Sequence, residues 1–81
     1  MSVSIITDQV LDCRGLACPM PILKTRRALE AMQVGQVLKM TATDPGSVKD
    51  IEAFTRKTGY YLMETDRVDG AYVFYIQKNK K

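Results

Sequence analysis

All three prolines of this 81-residue chain stand where a helix can begin, and no other feature constrains its fold so much. Pro19 and Pro21 lie in Ala17-Cys18-Pro19-Met20-Pro21, and Pro45 lies in Asp44-Pro45-Gly46-Ser47. A proline ring fixes φ and removes the amide hydrogen, which suits the first turn of a helix and breaks one further in. Each of these junctions follows a stretch that alternates polar and apolar residues, as a strand with one buried face does. The chain therefore passes from strand to helix twice.

The first strand is read over Asp8 to Asp12, centred on Val10 and Leu11, after which Gly15 lets the chain turn. From Pro19 the pattern is helical to about Gly35, with Ile22, Leu23, Leu29 and Met32 on one side and Lys24, Arg26, Arg27 and Glu30 on the other. Gln36 to Thr43 alternates again, and places Leu38, Met40 and Ala42 on one face against Val37, Lys39, Thr41 and Thr43. Asp44 is expected to cap the second helix, Pro45 to take its first position, and Ser47 with Asp50 to match the spacing of a capping box. That helix turns Val48, Ile51 and Phe54 inward and stops at Gly59. Tyr60 to Thr65 and Ala71 to Gln77 form a closing hairpin about Asp69-Gly70. The result is an α+β fold, a two-layer sandwich of order βαβαββ, with two helices over a four-stranded mixed sheet. Strand order stays open at this point.

So short a chain holds one core, so residues 1–81 are read as a single domain with 78–81 as a frayed, solvated tail. Nothing in Met1 to Asp8 resembles a secretory leader, and no apolar run reaches membrane-spanning length, which leads us to expect a cytoplasmic protein without membrane association. A net charge of +3 is compatible with an acidic partner and demands none. Two cysteines without a secretory context argue for free thiols, and two cysteines with no histidine argue against a structural zinc site.

Those two thiols differ in setting. Cys18 precedes a proline-headed helix in the cap position, where the amides of Met20, Ile22 and Leu23 lack intrahelical acceptors and are expected to face the sulfur. The positive helix end would then lower the thiol pKa and raise its nucleophilicity. A cysteine at such a place can also be a small buried apolar residue with no chemistry. Cys13, at the end of the first strand, is read as a packing residue, with resolution of a loaded Cys18 as the rival role. Asp12 and Arg14 support the loop, and the four tyrosines are read as sheet packing in preference to base stacking.

The run Asp12-Cys13-Arg14-Gly15-Leu16-Ala17-Cys18-Pro19-Met20-Pro21-Ile22 closely resembles the TusA/SirA family of small sulfur carriers, whose hallmark is a Cys-Pro-X-Pro motif opening the first helix. The Asp44-Pro45 helix start, the length and the closing hairpin resemble it too. The resemblance implies that Cys18 takes up sulfane sulfur, as a persulfide or a thiosulfonate, and relays it. The routes it implies are tRNA thiolation, cofactor synthesis and sulfur oxidation. It implies a cysteine desulfurase or a rhodanese as donor and a sulfurtransferase such as a DsrE-type protein as acceptor. Pro19, Pro21 and Gly15 would shape the helix start, and Arg14, Lys24, Arg26 and Arg27 would meet the partner. Asp44 would lie near the same edge, with Cys13 a secondary candidate. One thiol without a histidine base suits handover more than independent turnover, and neither metal nor organic cofactor is expected. The alternative function is a non-catalytic module that binds RNA or a regulatory protein through its cations, although stable nucleic-acid binding is not expected.

Overall fold

The computed structural model describes residues 6–79. Its elements are β1 (Gln9–Cys13), α1 (Met20–Ala31), β2 (Val37–Ala42), α2 (Ser47–Thr58), β3 (Tyr61–Val68) and β4 (Ala71–Gln77). The sheet order is β1-β2-β4-β3. β1 and β2 pair in parallel, as a strand, helix, strand unit requires, while β4 runs antiparallel to both β2 and β3. β3 is therefore parallel to β2 one position away, and β4 returns through the hairpin to fill the gap.

Both helices share one face of the sheet. Leu29 of α1 and Ile51 of α2 join Cys13, Leu38, Met40, Ala42, Phe74 and Ile76 in one fully buried cluster. Register accounts for this, because Leu38 lies opposite Ile76, Met40 opposite Phe74 and Cys13 beside Ala42, all on the same side of the pleat. Lys39, Thr41 and Tyr75 point to the open face and stay half-exposed. Among the described residues no helix is long and apolar enough to cross a membrane.

Several expectations need adjustment. The hairpin turn has the predicted chemistry, with φ of +50° at Asp69 and +80° at Gly70, the paired positive values of a two-residue turn. A turn that tight pairs Val68 directly with Ala71, so β3 runs to Val68 and not to Thr65. On α1 the buried line is Pro21, Thr25 and Leu29, spaced by four residues, and Leu23 is 46% exposed. A rotation of 100° per residue places position 23 nearly opposite that line, so the expected inward role of Leu23 is wrong. Tyr60 packs against Phe54 and Tyr72 lies under Arg67, whereas Tyr61 is exposed.

α1 stops at Ala31, and Lys78 covers its end. Read as part of a solvated tail, Lys78 is instead buried, and its ammonium donates to the carbonyls of Glu30 (3.2 Å) and Met32 (2.7 Å). A cation on the last carbonyls of a helix satisfies orphaned acceptors and meets the negative helix end. The backbone of Lys78 also closes the loop, pairing with Gly35 and Gln36. Of the remaining tail positions, Asn79 is exposed, and Lys80 and Lys81 lie outside the described residues. Lys78→Met keeps most of the aliphatic bulk and removes the donor, so it should cost roughly 1–3 kcal/mol in a denaturant melt. A solvated lysine would cost almost nothing.

Candidate functional site

The loop from β1 to α1 is fixed at three points. The Asp12 carboxylate takes the Arg14 backbone amide (3.0 Å) and both arms of its guanidinium (2.9 and 3.0 Å). This exposed clasp holds the Asp12 carboxyl down at about 2, mainly through the side-chain hydrogen bond from Arg14. A lowered carboxyl pKa contributes stability above the ordinary value of 3.8, lost as pH falls through about 2. Gly15 turns the chain at φ +81° and donates its amide to the Thr43 hydroxyl at the end of β2 (2.9 Å). The Leu16 amide returns to the Cys13 carbonyl (3.2 Å). Arg14 is thus spoken for by Asp12, and Gly15 makes the turn assigned to it.

Cys18 then emerges exposed, while Cys13 is fully buried in the core, and neither is in a disulfide. Burial pushes the Cys13 thiol pKa up, so its place is in packing, as read from the strand position. The Cys18–Pro19 peptide is cis, and the helical cap position falls on Pro19, one residue later than expected. Pro21 occupies the first turn and is buried. Two of the amides expected to face the sulfur are occupied elsewhere: Met20 donates to the Ala17 carbonyl (3.0 Å) and Leu23 to the Pro19 carbonyl (3.1 Å).

What meets the thiol is a carboxylate. Cys18 Sγ donates to Asp50 Oδ2 at 2.6 Å, across 32 positions of sequence, from the start of α1 to the first turn of α2. The thiol pKa is therefore raised, not lowered, first by the hydrogen bond to Asp50, then by desolvation and the charges of Asp50 and Asp44. This direction is opposite to the lowering expected from the helix end, two of whose three amides are bonded elsewhere while a carboxylate meets the sulfur directly. Asp50 was legible only as a capping-box residue, yet α2 has no side-chain cap and starts at Ser47 behind Gly46. Asp44 contributes its backbone carbonyl to the Ser47 amide, and Pro45 lies just outside the helix. The Asp44 charge acts on the Cys18 thiol in the same direction as that of Asp50, and more weakly.

On the first two turns of α1 the exposed Met20 and Leu23 form a groove with Lys24 and Arg27. Arg26 faces α2 instead, lining a second depression with Ile22, Leu23, Phe54 and Lys57, and pairs with Glu30 (3.4 Å). The three cations read as one cluster therefore split over two sides. The apolar pair Met20 and Leu23 gives no signal of its own in the sequence, because a leucine at helical spacing reads as core. Chemically, the arrangement offers an accessible sulfur nucleophile, a carboxylate controlling its proton, and a mixed apolar and cationic shelf.

The solved structure of a SirA-like protein from Desulfitobacterium hafniense superposes with a TM-score of 0.77 at 22% identity, covering 89% of this chain and 99% of that one. It has the same fold. In sequence, the chain is 53% identical over 72 residues to the sulfur carrier protein TusA of Allochromatium vinosum, covering 89% of this chain and 95% of that protein. It is 42% identical over 72 residues to YrkI of Bacillus subtilis, covering 89% and 96% respectively. The family model described as sulfurtransferase TusA matches residues 9–78, from the first residue of β1 to the buried Lys78, and the chain belongs to that family.

Proposed function

We propose that this protein is a sulfur carrier whose Cys18 accepts sulfane sulfur and passes it to an acceptor protein. The observation that carries the reading is the free, exposed thiol standing between two helix starts, in a chain of the TusA family. Cysteine desulfurases and rhodaneses are the proposed donors, and a DsrE-type sulfurtransferase is the proposed acceptor. Uptake proceeds by attack of the Cys18 sulfur on the terminal sulfur of a donor persulfide, so that an S–S bond forms on Cys18 as the donor's breaks. Handover is the same exchange in reverse, with an acceptor thiolate attacking the carried sulfur. No electrons are gained or lost overall, so no redox cofactor or metal is needed. A thiosulfonate cargo on the same sulfur would serve sulfur oxidation, and a persulfide would serve tRNA thiolation or cofactor synthesis. We place this exchange in the cytoplasm, where thiols are kept reduced.

The test is a chase of labelled sulfur. Protein loaded from radiolabelled cysteine by a desulfurase, then purified, should pass its label to a single-thiol DsrE-type acceptor one for one. Label that stays on the carrier would argue against the role. The groove on the first turns of α1 gives a second expectation, since cations at an interface act mainly on association. Arg26→Glu with Arg27→Glu should slow transfer several-fold while the circular dichroism spectrum is unchanged. Arg27→Glu should carry most of that effect, because Arg27 shares the groove with Met20.

A further inference from the structure

Asp50 has a place in this chemistry that resting on a helix does not explain. Its Oδ2 accepts the Cys18 thiol, and a methyl group placed on Gly46 would stand 3.5 Å from Asp44 Oδ2 and 4.0 Å from that same Asp50 Oδ2. Two carboxylates thus converge over Gly46 at the start of α2, and one of them reaches the sulfur. Among the described residues these two are the charged groups acting on the thiol, and both disfavour its ionisation. Thiol exchange requires the ionised sulfur. In the free protein the contact with Asp50 thus favours the less reactive form at the atom on which the proposed function rests.

We propose that Asp50 is a latch that keeps Cys18 protonated in the free carrier, and that a docking partner releases it by pairing a lysine or arginine with the Asp50 carboxylate. This deepens the sulfur-carrier reading and rests on it. A latch of this kind would keep an exposed thiol from alkylation and oxidation between encounters, and would make it a nucleophile only where a donor is present. On docking, the partner's cation takes up the carboxylate charge and the Cys18 S–H bond breaks, its electron pair remaining on Sγ. That pair forms the bond to the donor's terminal sulfur. The donor's S–S bond breaks with its electrons going to the donor cysteine, and the proton released from Cys18 ends on that cysteine. One sulfur atom and one proton change places, and no oxidant or reductant takes part.

The experiment follows alkylation of Cys18 by iodoacetamide across pH in the intact protein, with Cys18 located by peptide mass. Asp50→Asn should move the midpoint of the rate profile to lower pH and raise the rate at neutral pH several-fold, and Asp50→Glu should restore the wild-type profile. Superimposable profiles for wild type and Asp50→Asn would overturn the latch, and so would Asp50→Glu behaving as Asp50→Asn. For the release step, a short oligolysine peptide should speed alkylation of wild type and leave Asp50→Asn almost unmoved; equal acceleration of both would overturn it. Sulfur loading of wild type by a desulfurase, measured beside these, reports separately on the carrier reading. Loading with unchanged profiles sinks the latch alone, and shifted profiles without loading sink the carrier alone.

Discussion

Cys18→Ser should leave the fold and its melting temperature in place and abolish sulfur loading altogether. The side chain is exposed and contributes nothing to the buried cluster, so replacing sulfur by oxygen opens no cavity. Serine can still donate to Asp50, which preserves the contact between the starts of α1 and α2. What it cannot do is form a bond to sulfane sulfur and release it again by thiol exchange. Cys13 offers no substitute, because it is wholly buried and its thiol is held protonated by that burial. Intact-mass analysis after incubation with a desulfurase and cysteine checks the loading, and a thermal melt checks the fold. A module that bound RNA through its cations would instead keep its salt-dependent affinity in the Cys18→Ser variant.

Leu29→Ala should be among the most destabilising single changes in the molecule. Leu29 is fully buried on the helix that positions Cys18, packed among Met32, Leu38, Met40 and Phe74 in the central cluster. Truncating a buried leucine typically costs about 2–5 kcal/mol, against about 5–15 kcal/mol for the whole stability of a small domain. For a chain of this size each kcal/mol corresponds to about 4–8 °C of melting temperature. Leu23→Ala on the same helix should cost far less than Leu29→Ala, under about 1 kcal/mol, because that side chain is 46% exposed and lies outside the central cluster. A calorimetric comparison of the two variants therefore tests the orientation of α1. Equal losses would mean that the helix is rotated from the arrangement described.

The contrast between these two leucines also shows what the sequence discloses and what it hides. The six elements, their order and the tight turn at Asp69-Gly70 are legible because prolines, glycines and periodicity act locally. Rotation of α1 is hidden because Pro21 and Thr25, which lie on its buried side, do not look like core residues, while Leu23 does. Strand order was left open, although β4 carried a signal: Ala71-Tyr72-Val73-Phe74-Tyr75-Ile76-Gln77 is nearly all apolar or aromatic, as a strand flanked on both edges tends to be. Lys78 was misread because a lysine near the end of a chain gives no local hint that two helix carbonyls await it.

At the site, the position of the thiol was legible and its chemistry was not. Cys18, Pro19, Pro21 and Gly15 are neighbours in sequence, and the rules of turns and helix starts place them together. The contact with Asp50 spans two elements, and only the packing of α1 against α2 brings the groups into reach. A local reading therefore predicts the helix end as the dominant field on the sulfur. Tertiary structure replaces it with a carboxylate of opposite sign.

The central claim is that a single sulfur atom rides on Cys18. Its most direct measurement is the intact mass of the wild-type protein after exposure to a desulfurase and cysteine, followed by peptide mapping. A gain of one sulfur atom is expected, confined to the peptide that contains Cys18 and removed by a thiol reductant. An unchanged mass, or added sulfur mapped to Cys13, would contradict it.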